Sequence, residues 1–160
     1  GRPFTGDHAG DLLYSTLIKF GWGRGHYEAR ADDDLALINC RVTNAVRCVP
    51  PQNKPTGPEV NTCKLFLADE IAAMRRLEVI LALGGLAHGA VVVALGHRKS
   101  AWQFGHNRRH DIPNLPIIFN SYHCSRYNTN TGRLTPRMFE DVFKAIQVYF
   151  NSKLLRATGC

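Results

Sequence analysis

The chain has 160 residues, 44% of them apolar and 21% charged, and carries a net charge of +7. That length can bury the core of one domain without disulfide staples, and the composition is ordinary for a soluble globular protein. It excludes a membrane-spanning helix, since no run approaches the roughly 18 to 20 apolar residues a span needs. The positive charge suits an anionic partner, most commonly nucleic acid.

The amino terminus lacks the basic-then-apolar arrangement of a secretory signal, and the sequence reads as cytosolic. Gly1-Arg2-Pro3-Phe4-Thr5-Gly6-Asp7 is a glycine-and-proline loop. Leu12, Leu13, Leu17 and Phe20 then form a stripe that predicts a helix from Ala9 to Phe20. Thr5 or Asp7 can cap its start, and Gly21-Trp22-Gly23-Arg24-Gly25 stops it. The acids gather at Asp32-Asp33-Asp34, and Leu35–Asn44 is a strand candidate with room for a turn inside it.

A proline-rich segment, Val49 to Pro58, is flanked by Cys48 and Cys63. With Cys40, Cys124 and Cys160 the cysteines number five, irregularly spaced, which does not suit a disulfide framework. Cys48 and Cys63 are either structural or half of a metal or iron–sulfur site. An amphipathic helix is predicted over Asn61–Leu77, a continuous apolar strand over Val79–Leu83, and a short helix over Leu86–Leu95 after Gly84-Gly85. His106, His110 and Asp111 have the chemistry of zinc ligands, but Arg108-Arg109 between them opposes a dication. Ile117–Asn120 is the next strand, and Pro136–Leu155 the last helix, with Pro136 in its first turn.

Alternating strands and helices predict a three-layer α/β/α domain with a central, mostly parallel sheet. Ligands of such folds bind beyond the carboxyl ends of strands, where Thr43-Asn44, Gly84-Gly85 and Tyr122-His123 are expected. The segment Ser121 to Arg133 is the most distinctive. It holds His123, hydroxyls, amides, Arg126, Arg133 and tyrosines, and no acid. Such a loop can place an imidazole in a cleft while its basic, aromatic tip meets a polyanion.

Four ordered motifs carry a resemblance. Gly-Arg-Pro-Phe-Thr-Gly-Asp at 1–7, Thr-Asn-Ala-Val-Arg-Cys-Val-Pro-Pro at 43–51, Leu-Ala-Leu-Gly-Gly-Leu-Ala-His at 81–88 and Ser-Tyr-His-Cys-Ser-Arg-Tyr-Asn at 121–128 resemble the uracil-DNA glycosylase superfamily. They are most similar to its family 5 branch, the iron–sulfur type B enzymes. The resemblance implies a DNA repair enzyme that hydrolyses the N-glycosidic bond of uracil, and of some other damaged bases, after base flipping. It implies that Phe4 stacks on the flipped base and that Asn44 pairs with its edge. Asp7 orients water, and His123 donates to the departing base. Ser125, Arg126, Tyr127, Asn128 and Arg133 meet DNA, with phosphates also at Arg2 and Lys54. Cys48 and Cys63 become two of the four ligands of a 4Fe-4S cluster.

There are departures. In the family a strand and a Gly-Leu-Ala-Pro-like turn precede Gly-Arg-Pro-Phe, and two further cysteines lie upstream. The sequence therefore reads as a single glycosylase-like domain, 1–160, lacking the first strand and those cysteines. Cys124 stands where the family has proline. A catalytically impaired module that binds damaged DNA is the alternative; on either reading the expected partner is DNA, without a membrane, and the chain is expected to be a monomer. A nucleotide-binding domain built on Gly84-Gly85 is disfavoured by the absence of GxGxxG spacing and of a Walker lysine.

Overall fold

Residues 2–6, 8–30, 32–45 and 66–158 are described in a computed structural model. In chain order the elements are helix α1 (His8–Lys19), strands β1 (Gly23–Arg24) and β2 (Ala36–Leu37), helix α2 (helical over 66–73), strand β3 (Val79–Leu83), helix α3 (Gly85–Ala94), strands β4 (Arg109–His110) and β5 (Ile117–Ser121), and helices α4 (Arg126–Asn130) and α5 (Pro136–Thr158). They fall into two units, one of Gly1–Thr43 with Tyr122–Cys160, the other Asn44–Ser121.

The first unit is built on α1 and α5. Ala9, Leu13, Tyr14 and Leu17 of α1 are buried, as are Phe139, Val142, Phe143 and Ile146 of α5. That spacing is the apolar stripe of an amphipathic helix. Phe143 meets Phe20 at 5.6 Å, Trp22 at 5.5 Å and Phe139 at 5.1 Å between ring centroids. Aromatic pairs at such distances add to their area burial. Lys19 pairs with Glu140 at 2.7 Å, and the Gln147 amide donates to the Phe20 carbonyl at 3.2 Å. β1 and β2 form a two-stranded antiparallel ribbon with Gly23 opposite Leu37 and Arg24 opposite Ala36.

The second unit holds the larger sheet, in the order β3-β5-β4. β3 and β5 are parallel, in register from Val79 opposite Ile117 to Leu83 opposite Ser121. β4 adds an antiparallel edge, with Arg109 opposite Phe119. Leu67, Ala82, Ala90, Val91, Val92, Ile112 and Ile118 form the core, so α2 and α3 bury their apolar faces with β3 and β5. This is an α/β fold, and its sheet is parallel along most of its paired length.

Helices α1, α3 and α5 and the two long strands match the sequence expectation within a few residues; of the helix expected over Asn61–Leu77, residues 66–73 are helical and 61–65 lie outside the described residues. The strand expected over Leu35–Asn44 does not form as such. Ala36–Leu37 form the strand, Ile38 donates to the Trp22 carbonyl at 3.0 Å beside it, and the partner is β1 rather than the larger sheet. Asn39 takes φ 50°, which ends the strand just after Ile38. Asparagine is among the few residues with a Cβ that visit this region readily. β4 was not expected, being two polar residues with no periodicity to read.

Candidate functional site

The site in the first unit begins with a strained peptide. Phe4 has φ 58°, a left-handed conformation that costs a residue with a Cβ roughly 1–2 kcal/mol. Such conformations persist where surrounding structure over-determines them, and here it does. The Tyr27 hydroxyl donates to the Phe4 carbonyl at 2.8 Å and accepts from the Gly6 amide at 3.3 Å. The Tyr14 hydroxyl donates to the Pro3 carbonyl. Gly10 lets the peptide lie on α1, since a Cβ there would stand 1.9 Å from the Phe4 carbonyl oxygen.

Behind these contacts lies an ion pair. Arg2 donates from Nη1 and Nη2 to the two carboxylate oxygens of Asp33 at 2.8 and 2.6 Å. The guanidinium lies 5.2 Å from the Tyr14 ring centroid and 5.3 Å from that of Tyr27, and the two rings are 4.7 Å apart. The Asp33 side chain is 0% exposed. The Arg2 hydrogen bond, helped by the Glu28 and Leu35 amides, holds its carboxyl well below the usual carboxylate range against the opposing effect of burial. Arg2 was expected at a DNA phosphate; instead its bidentate fork is spent within the fold.

Phe4 so held has its ring centroid 5.7 Å from that of His123, tilted by 38°. His123 lies two residues after the carboxyl end of β5, as expected. Its backbone carbonyl accepts from the Asn128 side-chain amide at 2.8 Å, and the next residue, Cys124, is buried with its thiol 3.4 Å from the Ala9 carbonyl. The segment read as an open loop contains α4. Ser125 caps it, accepting from the Asn128 amide at 3.4 Å, and after Thr131 the chain reverses at Gly132, φ 70°. Leu134 then donates back to the Asn128 carbonyl at 3.0 Å, in the manner of a glycine-terminated helix. Of the residues expected at DNA, Ser125 and Asn128 have local partners, and Arg133 lies 4.7 Å from the Tyr122 ring centroid. Arg126 and Tyr127 are exposed.

Asn44 is exposed in the second unit, in an irregular stretch after β2. Asp7, Lys54, Cys48 and Cys63 lie outside the described residues. Thr5, the other candidate cap of α1, turns its hydroxyl back to the Arg2 carbonyl at 2.7 Å. Among the described residues no group of three or more His, Cys, Asp or Glu could hold a metal ion. Asp111 pairs with Arg109 at 2.6 Å, and the His110 ring packs 5.3 Å from that of His88. Of the two described cysteines, the Cys40 thiol is pushed up by burial and lies 3.2 Å from the Trp22 carbonyl, while Cys124 is sealed in the core.

Sequence reading missed Tyr14, Tyr27 and Asp33. One signal could have pointed to them. Gly10 sits inside a helical stripe, where glycine costs about 1 kcal/mol relative to alanine and calls for a packing reason.

The first unit thus presents an aromatic ring beside an imidazole, followed by a short helix with Arg126 exposed at its start. The family model of the uracil DNA glycosylase superfamily matches residues 1–147. The chain belongs to the uracil-DNA glycosylase superfamily. It is 42% identical over 142 residues to the type-5 uracil-DNA glycosylase of Thermus thermophilus, covering 89% of this chain and 64% of that protein. It is 36% identical over 146 residues to the type-5 enzymes of Pyrobaculum aerophilum and Mycobacterium tuberculosis, covering 90% of this chain and 62% and 54% of theirs. The chain thus spans less than two thirds of the length of these relatives.

Proposed function

We propose that this chain carries the excision centre of a type-5-like uracil-DNA glycosylase. It hydrolyses the bond between C1′ of deoxyribose and N1 of uracil in DNA, and acts as a single glycosylase domain, monomeric and in the cytosol. The observation that supports this most directly is the Phe4 ring held 5.7 Å from the His123 imidazole by a strained, tightly bonded backbone. A base inside a duplex must first be flipped out, at a cost of a few kcal/mol, and a fixed aromatic face offsets part of that by stacking.

In the proposed reaction Phe4 stacks on the extruded uracil and Asn44, whose amide both donates and accepts, reads its pairing edge. The C1′–N1 bond breaks with its electron pair leaving on the base, which His123 stabilises by donating to a carbonyl oxygen. The sugar becomes oxocarbenium-like. The Asp7 carboxylate stabilises that positive charge and orients the water whose oxygen bonds to C1′; the water's proton passes to the carboxylate and then, through solvent, to the uracil anion. Free uracil and an abasic sugar are the products. Arg126 and Tyr127, at the exposed start of α4, meet the DNA beside the extruded nucleotide, with Ser125, Asn128 and Arg133 supporting them.

Cys48 and Cys63 are proposed as two thiolate ligands of an iron–sulfur cluster. The expected positions in this sequence supply two of the four thiolates a 4Fe-4S cluster needs, and no catalytic step depends on them.

The test is release of free uracil from a labelled oligonucleotide, run beside gel-shift binding to the same strand. The chain should release uracil, and Asp7→Asn should lower turnover at least 100-fold while changing DNA affinity less than threefold. Equal losses in both would remove Asp7 from the chemistry. Binding without release by the unaltered chain would favour the damage-binding module.

A further inference from the structure

We propose that Tyr27 is the positioning residue for the base-stacking ring: its hydroxyl clamps the Phe4 peptide in the left-handed conformation that turns the ring toward His123. This rests on the excision reading for its catalytic consequence, though not for its geometry. The clamp is two-sided. One hydroxyl donates to the carbonyl of Phe4 and accepts from the amide of Gly6, so it closes the turn from both ends with bonds of 2.8 and 3.3 Å. Tyr27 lies 23 residues from Phe4 along the chain, so the restraint comes from outside the turn.

The clamp itself is held rigid. The Tyr27 ring packs 4.7 Å from that of Tyr14, which bonds the neighbouring carbonyl of Pro3, and both rings lie close to the Arg2 guanidinium, which Asp33 fixes. The bonded pair itself rests on α1 at Gly10, where a Cβ would stand 1.9 Å from the Phe4 carbonyl oxygen and 2.4 Å from the Tyr27 hydroxyl. A Phe4 peptide released from this shell relaxes toward negative φ, because the left-handed well disfavours side chains with a Cβ. Rotation of that peptide swings the ring away from the imidazole. Misplacement of a reacting partner by about 1 Å can lower a rate on the order of 100-fold.

Tyr27→Phe keeps the ring packed with Tyr14 and Arg2 and deletes only the hydroxyl. Its kcat/KM for uracil release should fall about 10- to 100-fold, with affinity for uracil-free DNA unchanged. Phe4→Ala should fall similarly, and the double variant Tyr27→Phe, Phe4→Ala should lose no more than Phe4→Ala alone, since one residue acts through the other. Gly10→Ala should reproduce the loss by wedging a methyl against both the Tyr27 hydroxyl and the Phe4 carbonyl and so breaking the bond between them. Multiplying losses in the double variant, or full activity in Tyr27→Phe, would overturn the proposal.

A second readout is independent of catalysis. In the unaltered protein, ring protons of Phe4 and His123 should give a nuclear Overhauser contact, and Tyr27→Phe should abolish it. If the unaltered chain released no uracil, the excision reading would fail. Loss of that contact in Tyr27→Phe would still support the clamp, and its persistence would sink it.

Discussion

Arg2 and Asp33 illustrate how a residue's role follows from what it touches. By the family resemblance Arg2 is a phosphate contact, and the run of acids at 32–34 has no assigned role. In the fold they are one another's partners, and Asp33 also accepts from the Glu28 and Leu35 amides. Because the folded carboxyl sits below its ordinary value of 3.8, the unfolded chain binds its proton first. Its contribution to stability is full above pH 3.8 and declines as pH falls below it toward the depressed folded value. Chemical denaturation followed from pH 6 to 3 should show this acid-dependent loss, and Asp33→Asn should flatten the slope below pH 4 while lowering stability at pH 6. An unchanged slope would assign the acid sensitivity to other carboxylates. The same reading makes Cys124 intelligible. In place of the family's proline, which would fix φ, a buried thiol lies against the Ala9 carbonyl and ties the His123 segment to α1.

At the scale of elements, α1, α3, α5, β3 and β5 were legible because each is governed by local periodicity. A 3.6-residue stripe or a short apolar run between breakers is written in consecutive residues. α4 was not legible, because five polar residues carry no stripe; a serine cap, a reversal at Gly132 and the Asn128 bond to His123 form it. The consequence is functional. As an open loop, 125–128 would present all its side chains to DNA; as a helix it leaves Arg126 and Tyr127 outward, Tyr127 being 72% exposed. Arg126→Ala should therefore weaken DNA binding and flatten the plot of log affinity against log salt by roughly 0.9, the share of one phosphate contact in duplex DNA. A slope identical to that of the unaltered chain would take the start of α4 off the backbone. The strand expected over Leu35–Asn44 shows the converse failure. Its apolar residues are real, but Asn39 breaks the run and β1 captures its first half.

For the molecule as a whole, the charge of +7 and membership of the glycosylase superfamily point to the same polyanion. Among the described residues no helix is long and apolar enough to cross a membrane. The proposed cluster is a whole-chain property that iron and acid-labile sulfide content would measure. With two of the four thiolates at the expected positions, this chain prepared without oxygen should hold iron well below a full four-iron complement, and Cys48→Ser or Cys63→Ser should remove what it holds; a full complement would show that other cysteines of the chain complete the ligand set. The sequence by itself determined the family, the α/β class and the identities of Phe4, Asn44 and His123 as candidates, because ordered motifs and local periodicity survive in one dimension. Tertiary structure alone decided that Phe4 is strained, that Tyr27 clamps it, and that Arg2 turns inward. Those facts depend on contacts between residues 23 and 31 positions apart, and a hydrogen bond or ion pair of that span leaves no spacing in the chain to read.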